Sequence, residues 1–379
     1  MSLILNEEQT LLKHTAREFF HAKATIKALR ILRDEKDVLG FDRALWKEIA
    51  ALGWAGILIP ETYGGVGFGY QGLGQILEES GRTLVASPLV ATVLLAAPLI
   101  LAAGSEAQKQ RLLPAVASGE ILLALAHDER PRHSPTHITT TALMTGTGYV
   151  LNGRKIFVLD GHVADHLLVI ARTSGPVTAV AGLSGFLVAA NTPGITLERT
   201  FMVDGRNTAN VVFENVALPG DALLGPLDQI FPLLERVLDG ARIGLAAEML
   251  GSGLEAFERT LAYLKLRTQF GVPIGSFQAL KHRAALMYCE LELTTSAVLE
   301  GLTALDEQRA DLSALASLAK AKACEMLELV TSEAVQLHGG IGMTDAEEIG
   351  FFLKRARVAQ QLFGDASFQR DRYATLMEF

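Results

Sequence analysis

Cysteine, aromatic residues and positive charge are all scarce in this 379-residue chain. Its two cysteines, Cys289 and Cys324, lie in apolar segments of helical spacing, so we predict buried thiols rather than a disulfide or a metal site. The net charge of −8 argues against a nucleic-acid groove or an anionic membrane surface as the main partner, because both attract basic patches. A local basic site for a phosphorylated ligand remains compatible with this charge.

Long apolar runs are missing as well. The strongest candidate, residues 87–103, is interrupted by Pro88, Thr92 and Pro98 and is shorter than the ~20 residues of a membrane span. It predicts a buried helix. The first residues contain no basic region followed by an apolar stretch, which argues against a secretory signal. We therefore expect a cytoplasmic protein with no membrane span.

The hydrophobic pattern divides the chain into three blocks. Apolar residues recur at helical spacing in residues 1–123, β-rich runs fill residues 124–230, and helical spacing returns in residues 231–379. Asn152-Gly153, between two β-rich runs, is the strongest β-hairpin signal, because a type I′ turn needs residues that tolerate positive φ. The pattern predicts an α+β fold with an N-terminal all-α domain, a middle β-sandwich or barrel, and a C-terminal helical bundle.

Four motifs occur in order along these blocks. They are residues 58–65 (LIPETYGG), 151–158 (LNGRKIFV), 267–278 (RTQFGVPIGSFQ) and 336–344 (QLHGGIGMT). Together they resemble the signature segments of the acyl-CoA dehydrogenase family, in the family's order and at similar separations. The resemblance covers nearly the whole chain. It implies an N-terminal helical domain, a middle β-domain and a C-terminal four-helix bundle, with FAD as cofactor and an acyl-CoA thioester as substrate.

The resemblance also assigns FAD contacts in the bundle. Arg267 is the phosphate partner, because a guanidinium donates hydrogen bonds in a planar fork. Gly339 and Gly340 let backbone N–H groups approach the pyrophosphate where a Cβ would obstruct it. In the family these segments reach the flavin of a neighbouring subunit, so a homo- or hetero-oligomer (dimer or tetramer) is implied. The remaining assigned contacts in the two segments are Phe270, Gln278 and Gln336.

The middle block matches the family less completely. Phe157 and Val158 lie in the strand that resembles the one against the flavin ring, and Phe157 would cover the ring face. The loop at residues 125–134 (LAHDERPRHS) departs from the family's Thr-Glu-Pro-Gly-Xaa-Gly-Ser-Asp; Glu129 matches, and Ser134 is carried over as an FAD ligand. The two histidines of this loop lack the usual spacing of a metal site, so we predict no metal. His338, in the last motif, is expected to pack or hydrogen-bond rather than catalyse.

The sequence leaves more than one possibility for the identity of the catalytic base. Oxidation of an acyl-CoA to the 2,3-enoyl-CoA needs a carboxylate for the α-proton while flavin N5 accepts the β-hydrogen as hydride. Many relatives carry that carboxylate in Tyr-Glu-Gly-Thr, but Gly364 stands at the Glu position here. A second branch of the family carries it where Ala241 stands. Asp365 is the candidate base, with an N-cap of the last helix as its competing role, and Glu248 is a remote substitute.

Three functions follow from these observations. The leading one is an FAD-dependent acyl-CoA dehydrogenase, with an electron-transferring flavoprotein as acceptor by resemblance. The Phe-Gly-Asp-Ala ending also resembles the small subunit of pimeloyl-CoA-type dehydrogenases, which favours a non-catalytic FAD and oligomer partner subunit as the alternative. The third is a nitroalkane-oxidase-like flavoenzyme, in which an aspartate base deprotonates a smaller acid.

Overall fold

A computed structural model describes residues 4–379. The N-terminal segment in which we found no signal pattern therefore lies outside the described residues at its first three positions. The described chain forms two compact units. The helical unit contains the described residues up to 31, residues 70–85 and residues 242–379. The β unit contains residues 32–69 and 86–241. The predicted order of helices, strands and helices is confirmed, while our domain boundaries at 123/124 and 230/231 stay a prediction.

The helices begin where the sequence supplies capping side chains. Asn6 and Gln9 form a reciprocal capping box at the first helix, and Ser105 and Gln108 form another at the sixth. The helices are α1 (Glu7–Lys23), α2 (Ile26–Asp34), α3 (Arg43–Ala51), α4 (Tyr70–Thr83), α5 (Ala97–Ala103), α6 (Glu106–Ala117), α7 (Phe231–Leu266), α8 (Gln278–Asp306), α9 (Leu312–His338), α10 (Ile349–Gln361) and α11 (Ala366–Leu376).

The helical unit combines the C-terminal helices with α1 and α4 from the N-terminal block. Two glycines allow α4 and α7 to touch through their backbones. A Cβ added to Gly81 would lie 2.0 Å from the carbonyl oxygen of Glu248, and one added to Gly251 would lie 1.8 Å from that of Glu78. Only glycine permits this approach, so the two positions fix the crossing of the helices.

The β unit is built on one eight-stranded sheet with the strand order β6-β7-β3-β2-β4-β5-β8, in which β1 pairs with β4. Most pairs are antiparallel, and β1 and β4 are parallel. Tyr149 and Phe186 meet edge to face in its core, with ring centroids 5.0 Å apart. The strands are β1 (Leu123–Ala126), β2 (Thr141–Thr145), β3 (Gly148–Leu159), β4 (His166–Arg172), β5 (Leu183–Ala189), β6 (Ile195–Phe201), β7 (Asn207–Pro219) and β8 (Leu223–Leu224).

The hairpin predicted at Asn152-Gly153 is wrong. Strand β3 continues through both residues, and the turn that joins it to β2 lies at residues 146–147. Gly153 has a φ of +147° at a register shift between β3 and β7, and a Cβ there would lie 2.6 Å from Thr140 Cα. The glycine therefore allows a β-bulge and a close backbone approach inside the strand. Both are known roles of glycine within β-strands, as an alternative to a turn.

The apolar segment at residues 87–103 is buried, as predicted. It forms a π-helical stretch, Leu89–Ala96, followed by α5, and Thr92 Oγ1 donates a hydrogen bond of 3.0 Å to the carbonyl oxygen of Leu123. None of the helices in residues 4–379 has the length and apolar character that a membrane crossing requires. Of the two thiols predicted to be buried, Cys324 is buried, whereas the prediction is wrong for Cys289, which is exposed.

Candidate flavin site

The first bundle motif forms a small hairpin after α7. Its two strands, β9 (Thr268–Gln269) and β10 (Val272–Pro273), pair antiparallel. The two turn residues, Phe270 and Gly271, have φ values of +55° and +80°. Positive φ at both central residues defines a type I′ turn, and a phenylalanine in that conformation is strained. The turn presents the Phe270 side chain, 91% exposed, at its tip.

The second bundle motif ends α9. Gly339 has a φ of +66° and closes the helix, and apart from neighbouring residues of the same segment no described atom lies within 4 Å of a Cβ added to Gly339 or Gly340. Gln336 is exposed one turn earlier. His338, by contrast, is buried: its Nδ1 lies 2.7 Å from the carbonyl oxygen of Ala334, and its ring stacks on Tyr263 at 4.4 Å. The prediction of a packing histidine is confirmed.

The Tyr263–His338 stack also brings the two motifs together. Tyr263 lies one turn before Arg267, whose backbone N–H donates to the Tyr263 carbonyl oxygen at 2.8 Å, and His338 directly precedes Gly339. A second link joins the N-terminal part of α8 to the C-terminal part of α9, because Arg283 pairs with Glu333. The helical unit thus holds both motifs beside each other.

This arrangement fits the FAD contacts assigned from the sequence. The open space at Gly339 and Gly340 is a cradle that side chains would fill, and Arg267 offers an exposed guanidinium for a phosphate. Phe270 offers an exposed apolar ring. Gln278, the first residue of α8, is exposed with them. The sequence predicted these residues one by one; it contained no sign that a buried aromatic stack joins them.

In the β unit, a bulge separates the two residues of the predicted flavin strand. The pairing of β3 with β7 shifts between Lys155 and Val158, and Phe157 within the shift has a φ of +51° and is 39% exposed. Val158 is 1% exposed and packs in the core of the sheet. The Phe157 ring is therefore available to a ligand, whereas Val158 can offer only backbone atoms.

The loop that departs from the family pattern is held by a buried ion pair. Lys155 Nζ donates to Glu129 Oε1 at 2.7 Å and to the His127 carbonyl oxygen at 3.0 Å. Burial would raise the pKa of Glu129, but the Lys155 ammonium and hydrogen bonds from Thr139 and Thr140 lower it to about 2. Burial lowers the pKa of Lys155 to about 8 in spite of Glu129.

The Glu129–Lys155 pair gives the matching Glu of the family pattern a structural role, which the sequence did not reveal because the partner is 26 residues away. Ser134 lies half-buried farther along the same loop, where its carbonyl oxygen accepts a hydrogen bond from His137 N–H at 3.0 Å. Its assignment to FAD stays a prediction.

Asp365 is the N-cap of α11. Its Oδ1 accepts a hydrogen bond of 2.8 Å from the backbone N–H of Phe368. The residue before it, Gly364, has a φ of +98°, and a Cβ there would lie 2.3 Å from Phe368 Cδ1 and 2.8 Å from Gln369 Nε2. The position that carries Glu in many relatives therefore has neither the backbone conformation nor the room for a side chain.

Buried donors lock this turn in place. Lys320, fully buried, donates from Nζ to the carbonyl oxygens of Ala359 and Gly364 at 3.1 and 3.3 Å. Arg242 Nε and Gln369 Nε2 both donate to the Phe363 carbonyl oxygen, at 3.3 and 2.7 Å. Burial lowers the pKa of Lys320, whose ammonium closes the C-terminal end of α10. Moving Asp365 by one residue toward the Glu position would break these bonds.

The other carboxylate considered as a base is engaged elsewhere. Glu248, 2% exposed, forms a bidentate ion pair with Arg355, with Nε and Nη2 at 3.0 and 3.2 Å from its two oxygens. Such a buried carboxylate is structural, so Glu248 is not a substitute base. Ala241, the position of the second family branch, is fully buried.

Comparison with known proteins agrees with these motifs. The descriptions "Acyl-CoA dehydrogenase, N-terminal domain", "middle domain" and "C-terminal domain" match residues 6–120, 127–216 and 231–377. The Bacillus subtilis (strain 168) protein named "Probable acyl-CoA dehydrogenase YngJ" is 32% identical over 377 residues, which are 98% of each chain. This chain belongs to the acyl-CoA dehydrogenase family.

Solved structures show the same fold over the full length. Butyryl-CoA dehydrogenase from Megasphaera elsdenii is similar with a TM-score of 0.91 and 28% identity, covering 100% of each chain. A chain of the ChsE4–ChsE5 complex from Mycobacterium tuberculosis is similar with a TM-score of 0.90 and 26% identity, covering 100% of this chain and 99% of the other. The predicted family and fold class are confirmed, and the family is in general one of FAD-dependent oxidoreductases.

Proposed function

We propose that this chain is a subunit of an FAD-dependent acyl-CoA dehydrogenase that oxidises an acyl-CoA thioester to the 2,3-enoyl-CoA, and that another chain supplies the α-proton acceptor. The proposal rests on a contrast within the helical unit between the two FAD segments and the turn at Gly364. The two FAD segments are exposed and adjacent, whereas the turn at Gly364 excludes a side chain and caps a helix with Asp365.

Bound FAD would supply the hydride acceptor for the β-hydrogen of the thioester, and a carboxylate would be needed to accept the α-proton. This chain would contribute binding and orientation. Arg267 would neutralise phosphate charge, and the backbone at Gly339 and Gly340 would donate to the pyrophosphate. Phe270 would supply an apolar wall at low cost in conformational entropy, because the I′ turn already fixes its backbone.

The heteromeric form of the proposal is favoured by two further facts. The family's bundle segments serve a neighbouring subunit's flavin, so this chain can complete a partner's site without completing its own. A solved relative of similar fold, from Mycobacterium tuberculosis, is a complex of two named chains, ChsE4 and ChsE5. An electron-transferring flavoprotein remains the acceptor that the family resemblance predicts.

A second candidate function keeps catalysis within this chain, with Asp365 as the base. It is favoured by the position of Asp365 next to the family's Glu position, and by its half-buried carboxylate. N-capping engages Oδ1. The competing roles of the residue, cap and base, can be separated because asparagine caps a helix as well as aspartate does but cannot accept the proton.

The test compares Asp365→Asn with Asp365→Ala in the purified flavin-containing assembly, mixed anaerobically with a panel of acyl-CoAs while flavin absorbance is followed. If another chain holds the base, Asp365→Asn bleaches at the wild-type rate, and Asp365→Ala loses only about 1 kcal/mol of stability. A loss of roughly 10²- to 10⁴-fold in the bleaching rate of Asp365→Asn would instead make Asp365 the base.

A further inference from the structure

The loop after β1 gathers three side chains of the kind that bind metal ions. The donor atoms Nδ1 of His127, Oδ1 of Asp128 and Nδ1 of His133 all lie within 4.8 Å of one another. Both histidine nitrogens face the same carboxylate oxygen, at 3.5 Å for His127 and 3.1 Å for His133. Tetrahedral Zn²⁺ with ligands at ~2.0–2.2 Å separates its ligand atoms by roughly 3.3 Å, and the two nitrogen–oxygen distances of 3.5 and 3.1 Å are close to this value.

The hydrogen bonds of His127 fix which of its nitrogens is free to coordinate. Its Nε2 lies 2.9 Å from the carbonyl oxygen of Pro135, which can only accept, so Nε2 carries the hydrogen. The Nδ1 lone pair therefore points toward the Asp128 carboxylate, and two electron-rich atoms face each other.

Asp128 is ready to accept a cation. Its Oδ1 faces the Nδ1 atoms of both histidines, and its side chain is the most exposed of the three at 26%. The ammonium of Lys155 nearby pairs with Glu129 Oε1 at 2.7 Å. A ligand histidine that donates its second N–H to a backbone carbonyl, as His127 does, is the usual outer-sphere arrangement of a metal site.

The loop is also rigidly placed. The Asp128 carbonyl oxygen accepts a hydrogen bond of 2.8 Å from Ile156 N–H of β3. Arg172 of β4, 5% exposed, holds the far side of the loop by donating to the carbonyl oxygens of Thr136 and Ile138, both at 3.2 Å. Because these bonds come from the sheet, the three donors are pre-arranged and little ordering is needed to bind an ion.

Contrary to the expectation from the sequence, we propose that His127, Asp128 and His133 form a binding site for a divalent first-row transition ion such as Zn²⁺, with the fourth position of a tetrahedron left to water or another ligand. Two nitrogens and one carboxylate oxygen suit such ions better than Mg²⁺ or Ca²⁺, which prefer oxygen ligands. The Asp128 side chain is 26% exposed and the two histidines are 4% and 2% exposed, so an ion would enter past Asp128.

The experiment uses the full chain in the form in which it is purified, stripped with a chelator and titrated calorimetrically with Zn²⁺ and, separately, Mg²⁺. Co²⁺ absorption serves as a coordination probe. The variants are Asp128→Asn and His133→Gln, and the matched control is His137→Gln, a half-buried histidine of the same loop. Circular dichroism verifies folding, and if one ligand variant fails to fold, the other decides.

We expect one Zn²⁺ per chain and no Mg²⁺ binding in the wild type and in His137→Gln. Each ligand variant should weaken Zn²⁺ binding by more than about 10-fold, the loss found even for outer-sphere partners. The proposal is overturned if the stripped wild type does not bind Zn²⁺, or if Asp128→Asn and His133→Gln bind it as tightly as the wild type. Either result would mean that the three side chains form a hydrogen-bonded cluster that does not bind a metal ion.

Discussion

Gly364 is the residue on which the account of catalysis depends most. Its φ of +98° costs an L-residue roughly 1–2 kcal/mol, and the Cβ would collide with the Phe368 ring. Gly364→Ala should therefore lower the free energy of unfolding by roughly 2–4 kcal/mol, because backbone strain and overpacking add. Denaturant unfolding measures the change. Gly340→Ala, at a position with open space around the added Cβ, is the control and should be close to neutral.

If Gly364→Ala were as stable as the wild type, the turn would be able to rearrange. The steric argument against a carboxylate at this position would then fail. The chain could in that case adopt the base geometry of its relatives without large cost.

Glu129 gives a prediction with a defined pH window. Its side chain is 5% exposed and compensates the buried Lys155 ammonium, so Glu129→Gln should lose about 3–5 kcal/mol of stability at pH 7. The folded pKa, about 2, lies below the ordinary value of 4.5, so the contribution is complete above pH 4.5 and is lost as the pH falls toward 2. Unfolding free energies measured across that range should converge between wild type and variant.

The control for this prediction removes both charges. Glu129→Gln combined with Lys155→Met should recover part of the lost stability, because no ammonium is left buried without its carboxylate. A single Glu129→Gln variant as stable as the wild type at pH 7 would show that the pair does not hold the loop.

At the scale of elements, the hairpin β9–β10 contains the clearest functional prediction. Arg267 is exposed, so its substitution should leave the melting temperature of the flavin-free chain unchanged while weakening FAD binding. Arg267→Ala should lower FAD affinity by roughly 10- to 100-fold, as expected for a lost charge-assisted hydrogen bond. The FAD affinity of Arg267→Lys should lie between those of the wild type and Arg267→Ala, because an ammonium still binds phosphate as a point charge.

Fluorescence titration of the flavin assembly measures these affinities, with Lys265→Ala as the control for an exposed cation on the same segment. Equal affinities in wild type and Arg267→Ala would remove Arg267 from the flavin site. Equal losses in Arg267→Ala and Lys265→Ala would point to a general charge effect instead.

At the same scale, sequence patterns were sufficient to predict the helices but not the course of every strand. Helical periodicity and caps such as Ser105–Gln108 are local, so the helices could be predicted. Asn152-Gly153 has the composition of a turn, yet the pairing of β3 with two neighbouring strands keeps it extended. The register of a strand depends on distant partners, which a local pattern does not contain.

At the scale of the whole molecule, the compact units differ from the three blocks read along the sequence. Residues 70–85 join the helical unit because Gly81 meets the backbone of α7. Contacts of this kind join residues more than 160 positions apart and leave no periodic signal. The FAD residues of the bundle could be assigned from motifs, whereas the Tyr263–His338 stack, the Lys320 bonds and the His127–Asp128–His133 cluster required the structure.

The subunit proposal has a consequence for the assembly. A chain with FAD segments but without a base should complete the site of a second, base-containing chain of the same family. The direct measurement is the flavin content and acyl-CoA bleaching of this chain purified alone and after co-expression with a family member from the same genome that carries the base glutamate. We predict no bleaching by any acyl-CoA for the lone chain and bleaching for the co-purified pair. A lone chain that holds FAD and bleaches, and that loses bleaching in Asp365→Asn, would contradict the account.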